Sequence, residues 1–313
     1  MKKKARKKKW ILLVIIAVII ILLVWSLWGN TALELNEITV KSDRLPKGFD
    51  GYRIAHVSDL HNAEFGENNE KLLTLIAATE PDMIAITGDL VDSRRTDTEV
   101  ALAFIEEAEK IAPCYYVPGN HESRIPGFDD LEDALQIAGV TTLRNGTIPL
   151  KKDGQEIQLV FLDDPAFHDV SDSGAYLSCA WDQIMEETWF FMGKPEFYNP
   201  SVSDADSSPS QGSLTTQPFS IVLSHRPEAF DAYCEMGADL VLTGHAHGGQ
   251  FRLPFVGGLV APHQGLLPEY DAGLYTEGHT NMVVSRGLGN SLFPLRFNNR
   301  PEVVLVELRG PVW

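Results

Sequence analysis

Cysteine is scarce in this chain, and the three present, Cys114, Cys179 and Cys234, are far apart and form no Cys-x-x-Cys pair. An odd, scattered set excludes a disulfide framework and a thiolate metal site. Buried free thiols are the expected state, with a partner for Cys179 left open. Internal repeats are absent too. Positive charge is concentrated in one place, because residues 2–9 hold seven of the 26 basic side chains (Lys2, Lys3, Lys4, Arg6, Lys7, Lys8 and Lys9). Without those seven, 19 basic residues face 43 acidic ones, a net charge of −24. A body that acidic repels polyanions, which argues against a nucleic-acid partner.

The next absence is of charge altogether. "WILLVIIAVIIILLVWSLW", Trp10 to Trp28, carries none. As a helix its length is about 28 Å, close to the hydrocarbon thickness of a bilayer. Trp10, Trp25 and Trp28 stand near its ends, where indole rings favour the membrane interface. A cleavable signal peptide has a shorter apolar region, roughly 7–15 residues, and a small-x-small site that "GNTALEL" supplies poorly. The expectation is therefore an uncleaved single-pass anchor at 10–28 with residues 1–9 as a basic cytoplasmic tail. By the positive-inside rule, everything after the span is extracytoplasmic, about seven residues (Gly29 to Leu35) preceding the first strand.

Beyond the span the composition is ordinary for a globular domain, at 44% hydrophobic residues in a chain of 313. Short apolar runs alternate with helical patterns. "YRIAHVSDLH", "MIAITGDL" and "CYYVPGNHE" are strands entering polar loops, and "ENNEKLLTLIAATEPD", "TDTEVALAFIEEAEKI" and "DDLEDALQIAG" are helices between and after them. This βαβα order implies parallel strands, whereas "TIPLKKDGQEIQLVFLDD" reads as a hairpin turning at Asp153-Gly154, which makes the sheet mixed. Later strands are expected at 219–224, 239–243, 281–286 and 302–308. The rhythm breaks at Ala166 to Pro218, an insertion in a domain of residues 33–313. Its first part is aromatic (Trp181, Trp189, Phe190, Phe191, Phe197, Tyr198), and "SVSDADSSPSQGSLTTQP" has the composition of a disordered stretch. A lid or lipid-admitting wedge and a small satellite core are equally compatible with the aromatic part.

The polar residues that end these strands carry the chemistry. Asp59 and His61 follow the first strand, Gly88 and Asp89 the second, Gly119, Asn120 and His121 the third, His225 the next, and His245 and His247 the one after. Successive strand ends finishing in Asp, Asn or His place their side chains along one sheet edge, where open α/β folds put their sites. On extended chain, residues two apart lie about 7 Å apart on one face, so one strand end can address two ions about 3.5–4 Å apart. His245 and His247 can thus each take one metal of a pair. Gly244, Gly248 and Gly249 clear side chains where something must approach the backbone.

The ordered segments "SDLHNAEFG", "TGDLVD", "PGNHE", "LSHRPE" and "LTGHAHGGQ" resemble the calcineurin-like metallophosphoesterases. The tail "VSRGLGNSLFPLRFNNRPEVVLVEL" and the amino-terminal apolar run resemble the membrane-associated bacterial branch. The resemblance implies two mixed β-sheets packed face to face and flanked by helices, here preceded by one transmembrane helix. It makes Asp59, His61 and His247 ligands of one metal and Asn120, His225 and His245 ligands of the other, with Asp89 bridging. Manganese, zinc or iron suits such ligands. His121 matches the catalytic histidine and Asp92 the acid that orients it, although Ser93-Arg94 replaces the Arg-Gly that often follows Asp92. Arg94, Arg95 and Arg226 are candidate phosphate contacts, with a solvated surface role favoured for each, and His56, His168, His263 and His279 are left structural.

The expected activity is hydrolysis of a phosphoester, favouring a phosphodiester, by attack of a metal-bound hydroxide. The branch implies diesters or a UDP-linked lipid precursor as substrates. The topology favours an extracytoplasmic lipid-linked or cell-envelope phosphoester, whereas a cytoplasmic-facing lipid-nucleotide pyrophosphatase requires the opposite orientation. A non-catalytic metal-binding scaffold that uses the aromatic insertion to bind a partner is the competing class, and predicts missing ligands.

Overall fold

The structure is a computed structural model that describes residues 2–168, 218–290 and 293–311. The aromatic run Trp181 to Tyr198, Cys179 and the Ser/Asp-rich run after it lie outside the described residues. Two six-stranded mixed sheets form the domain. The first contains β1 (Glu34–Lys41), β2 (Arg53–Val57), β3 (Met83–Thr87), β4 (Cys114–Val117), β5 (Thr141–Thr142) and β16 (Glu302–Arg309), in the order β1-β16-β2-β3-β4-β5. The second contains β6 (Gly146–Lys152), β7 (Gln155–Phe161), β8 (Ser220–Leu223), β9 (Leu240–Thr243), β14 (Gly273–Glu277) and β15 (Thr280–Val284), in the order β14-β15-β9-β8-β7-β6. Two short hairpins, β10 (Arg252–Leu253) with β11 (Gly257–Gly258) and β12 (Val260–Ala261) with β13 (Gly265–Leu266), lie between β9 and β14.

Strand alternation decides what each sheet covers. Ile54, Ala85 and Val117 on one sheet meet Ile221, Leu223, Leu240, Leu242 and Val283 of the other in a shared apolar layer. The alternate residues Ala55, Val57, Ile84, Ile86 and Tyr116 face outward onto α2 (Glu70–Ala78), α3 (Thr98–Ala108) and α4 (Phe128–Ile137). On the far side of the second sheet, Val222, Val241 and Met282 pack on Phe230, Tyr233 and Met236 of α5 (Phe230–Met236). With both faces covered, the central parallel strands β2, β3, β8 and β9 read as continuous apolar runs. The Asp-Gly turn forms as expected, with Asp153 at φ 50° and Gly154 at φ 76° joining β6 and β7. Cys114 and Cys234 are free thiols.

Two expectations change. The ligand-bearing strand ends do not share one sheet edge: β2, β3 and β4 belong to the first sheet, β8 and β9 to the second. The sequence runs them consecutively, but the β6–β7 hairpin intervenes and starts a new sheet. Likewise the connection before β1 is shorter than expected, because α1 (Lys2–Gly29) continues to Gly29 and β1 begins at Glu34. By length and composition, Lys7–Gly29 is long and apolar enough to cross a membrane. Its end is tied to the segment before β16: the Arg296 N–H donates to Asn30 Oδ1 at 3.0 Å, and the rings of Trp25 and Phe297 meet edge to face at 5.2 Å.

Candidate metal centre

The loops after β2 and β3 interlock through their backbones. The Asp59 N–H donates to the Gly88 carbonyl at 3.0 Å and the His61 N–H to the Asp89 carbonyl at 2.9 Å. From the second sheet, the His245 N–H donates to the Asp59 carboxylate at 3.1 Å. Gly244 is what lets the two sheets meet here, since a Cβ at that position would fall on Ser58 Oγ and the Asp59 carboxylate. The glycine therefore clears space for another part of the chain, not for an ion. Gly88 does the same at φ 84°, where a Cβ would sit 2.6 Å from the Gly119 nitrogen.

Five of the candidate ligands adopt left-handed backbone conformations: Asp59 (φ 53°), His61 (47°), Asp89 (52°), His245 (63°) and His247 (48°). This corrects the extended-chain spacing expected for Asp-x-His and His-x-His. In place of a straight strand, each pair sits in a turn: Asp59 and His61 reach the same donor group, while His245 and His247 reach different ones. Each such residue costs of order 1–3 kcal/mol and is held by the surrounding packing.

The side chains converge in two groups. Donor atoms of Asp59, His61, Asp89 and His247 lie within 4.8 Å of one another, and so do those of Asp89, His225 and His245. Asp89 belongs to both. Its Oδ2 is 3.5 Å from His61 Nε2 and 3.3 Å from His225 Nε2, while its Oδ1 accepts the His121 N–H at 2.8 Å. His225 donates Nδ1–H to the Thr87 carbonyl at 2.7 Å, which leaves Nε2 facing the cluster. The Asn120 side-chain oxygen is buried without a hydrogen-bond partner, an acceptor whose cost of burial is unmet by the protein.

Burial and the Arg226 and His225 charges hold His245 well below the usual histidine range, and burial with the neighbouring His61 and Arg296 does the same to His247. Burial takes His61 down to about 3. All three imidazoles are thus neutral, the form that ligates a cation. Burial opposes a charge on both Asp89 and His225, but each favours the other's charged form: Asp89 is held well below the usual carboxylate range and His225 is pushed up to about 10. A divalent cation held at His225 Nε2 would take the place of that proton.

His121 stands beside the cluster, its ring 4.5 Å from that of His61. Its Nδ1 accepts the Ser93 N–H at 3.0 Å, which leaves the neutral ring's proton on Nε2. Burial lowers its pKa despite Asp89 and Asp92. Asp92 Oδ1 lies farther off, 3.4 Å from Nδ1, and the same carboxylate is gripped by Arg94, whose Nε donates to it at 3.1 Å. A cavity of about 320 Å³ opens beside His61 and Asp92 and is lined also by Arg95 and Asn290.

One sequence-based assignment is corrected. Arg226 is not a solvated surface residue: it is fully buried, its Nη2 donating to Asp164 at 2.8 Å. The paired carboxylate is what makes that burial tolerable. His263, left structural in the sequence reading, lies close to the ligands: its Nδ1 is 2.9 Å from His245 Nε2, and it forms a third donor trio with His245 and Glu228. The Arg226 guanidinium, 2.7 Å from His263 Nδ1, already supplies a positive charge there and disfavours a cation. His56 and His279 remain structural, bonded to Thr87 Oγ1 at 2.8 Å and to the Gly237 carbonyl at 3.2 Å.

Glu122, the last residue of "PGNHE", carries no role in the sequence reading, yet it holds the site together. It is fully buried and accepts N–H bonds from Asp89 (2.9 Å), Val91 (3.1 Å) and Gly119 (2.8 Å), joining the loops after β3 and β4. Burial and the nearby Asp89 push its carboxyl up to about 7. A Glu122→Gln substitution must point its NH2 at one of these N–H groups, leaving a buried donor unpaired at a cost of about 1–3 kcal/mol. The expected result is a melting temperature lower by several degrees and weaker metal retention. An unchanged melting curve and metal content would remove Glu122 from this role.

The sequence profile of calcineurin-like phosphoesterases matches residues 52–249, a span that includes every one of the converging residues from Asp59 to His247. The chain belongs to the calcineurin-like phosphoesterase family. It is thus a metal-dependent hydrolase of phosphoester bonds. Among its relatives, the uncharacterized metallophosphoesterase YkuE of Bacillus subtilis (strain 168) is 32% identical over 286 residues, covering 89% of this chain and 86% of YkuE. Phosphodiesterase YaeI of Escherichia coli (strain K12) is 27% identical over 262 residues, covering 82% of each chain. A Danio rerio transmembrane protein with metallophosphoesterase domain is 23% identical over 279 residues, which are 87% of this chain and 56% of that protein.

Proposed function

We propose that this phosphoesterase is dinuclear, anchored in the cell membrane by α1, and acts on phosphodiesters. The carrying observation is the double membership of Asp89, whose Oδ2 faces His61 on one side and His225 on the other. Asp59, His61 and His247 would hold one divalent cation, Asn120, His225 and His245 the second, and Asp89 both. The residues fit such a pair: two carboxylates, four imidazoles kept in or exchangeable into the neutral form, and one buried carbonyl oxygen with no partner. That mixed nitrogen and oxygen set suits manganese, zinc or iron.

When bound, the cations supply Lewis acidity toward the phosphoryl oxygens and toward water. The chain supplies the rest. Asp89 holds the two halves of the site at fixed separation, while its Oδ1 fixes the backbone of His121. His121, with Nδ1 tied to the Ser93 N–H, presents a neutral Nε2–H that donates a hydrogen bond to the phosphoryl group as negative charge develops there. Asp92, kept ionised by Arg94 against its partial burial, stands 3.4 Å from Nδ1 and would stabilise the ring if it took up a second proton there, the imidazolium form that can protonate a departing oxygen. Arg95 at the cavity rim is placed to meet a phosphate, whereas Arg94 is engaged by Asp92 and Arg226 by Asp164.

Support for diester chemistry comes from the name of YaeI, and for anchoring from the apolar span and the relatives named as transmembrane proteins. The reading predicts that the full chain, loaded with Mn or Zn, hydrolyses bis(p-nitrophenyl) phosphate faster than p-nitrophenyl phosphate. The reverse order would replace the diester by a monoester. Seven cationic residues before the span support a body outside the cytoplasm, facing a lipid phosphate or envelope-polymer substrate. Protease added to intact spheroplasts should then degrade the catalytic domain. Protection until the membrane is broken would reverse the orientation and favour a cytoplasmic nucleotide-lipid substrate.

A further inference from the structure

A second cavity, of about 400 Å³, lies between the end of α1 and the segment before β16, and shares no lining residue with the one beside His61. Four arginines line it, Arg252, Arg286, Arg296 and Arg300, against one carboxylate, Glu34. Two of the four are neutralised: Arg286 by Glu302 and Glu34, Arg252 by Asp271 at 3.0 Å. The other two have only uncharged partners, and of them Arg296 is fully buried while Arg300 is partly exposed. Arg296 bonds the carbonyl of Arg286 at 2.7 Å, the carbonyl of Gly289 and the Asn290 side chain, and Arg300 bonds the carbonyls of Ala32 (2.9 Å) and Leu33. No carboxylate lies within 4.0 Å of either guanidinium among the described residues, in a body whose net charge outside residues 2–9 is −24. A partly exposed guanidinium with no carboxylate partner, as at Arg300, is the arrangement that recognises phosphate.

The surroundings decide the source of that phosphate. Trp25 and Trp28 of α1 form one wall, and the Arg300 guanidinium lies 5.2 Å from the Trp28 ring. From Arg252 the β10–β11 hairpin runs out to Phe255 and Val256, both uncovered. Indoles at the end of an apolar span, with exposed apolar side chains beside cations, match the bilayer interface and not a site for a free anion.

We propose that this cavity binds the phosphate of an anionic phospholipid headgroup in the leaflet where α1 ends, with Arg300 as the donor. The proposal rests on the reading of α1 as a membrane span. The lipid so held joins the anchor to the segment carrying Arg296, whose Nη2 is 3.5 Å from His247 Nδ1, so the domain is seated against the bilayer by its own metal-bearing end.

The full chain tests both readings separately. Flotation with vesicles of phosphatidylcholine alone scores the span: a chain that stays in the soluble fraction overturns the anchor and the headgroup site with it. Native mass spectrometry from micelles containing equal phosphatidylcholine and phosphatidylglycerol scores the cavity. The expected result is one phosphatidylglycerol retained per chain, preferred on the order of ten-fold, which is about 1.4 kcal/mol. Arg300→Gln should abolish that preference while Arg300→Lys, which keeps the charge, retains most of it. Equal retention of the two lipids, an Arg300→Gln chain that keeps the preference, or displacement of the lipid by millimolar inorganic phosphate would each overturn the proposal.

Discussion

Asp89→Asn should leave the protein folded, unable to hold two metals, and slower in hydrolysis by on the order of 10³-fold. The size reflects the several kcal/mol that a metal pair contributes to transition-state stabilisation, at about 1.36 kcal/mol for each factor of ten. Asparagine can still present one oxygen to the His121 N–H, where Asp89 Oδ1 now sits at 2.8 Å. Its NH2 then replaces Oδ2, between His61 Nε2 and His225 Nε2. An amide NH2 has no lone pair to share with a cation, so both positions lose a ligand and a negative charge together. Elemental analysis should find at most one metal per chain. Two fully occupied metals in this variant would show that Asp89 is not the bridge.

His121→Ala should give the opposite pairing of effects, with metals retained and kcat reduced by about 10²–10⁴-fold, the usual range for a positioned acid or base. The residue's backbone N–H, which bonds Asp89, survives the substitution, and neither donor group includes its ring. The loss is of a hydrogen-bond donor whose ring is held by the Ser93 N–H at 3.0 Å. Loss of a metal would make His121 a ligand. An unchanged kcat would leave the chemistry to other groups.

Much of this arrangement is legible in the sequence, and for physical reasons. Apolar runs such as "MIAITGDL" and "ADLVLTG" read as buried strands because the strands they form, β3 and β9, are covered on both faces. The Asp153-Gly154 turn is readable because two consecutive left-handed residues favour that pair. Asp59, His61, Asp89 and the later histidines stand out because polar residues at the ends of apolar runs have no packing reason to be there. The division of those strand ends between two sheets is not legible from alternation alone, which gives the order of strands but not their partners. Nor is the left-handed backbone at Asp59, His61 and Asp89, because aspartate and histidine, though enriched there, adopt it far less often than glycine does. The roles of Glu122, Arg226 and His263 depend on contacts between segments far apart in sequence: Glu122 with the loop of Asp89, Arg226 with Asp164, His263 with His245. A buried charge looks like a surface charge until its partner is in view.

The central claim is that one carboxylate holds two cations between the sheets. Its most direct test is metal titration of the stripped full chain, with bound metal counted while hydrolysis of bis(p-nitrophenyl) phosphate is monitored. The account predicts activity that appears only as occupancy approaches two metals per chain and disappears on chelation. Full activity at one metal per chain, or hydrolysis that persists in the stripped protein, would contradict it.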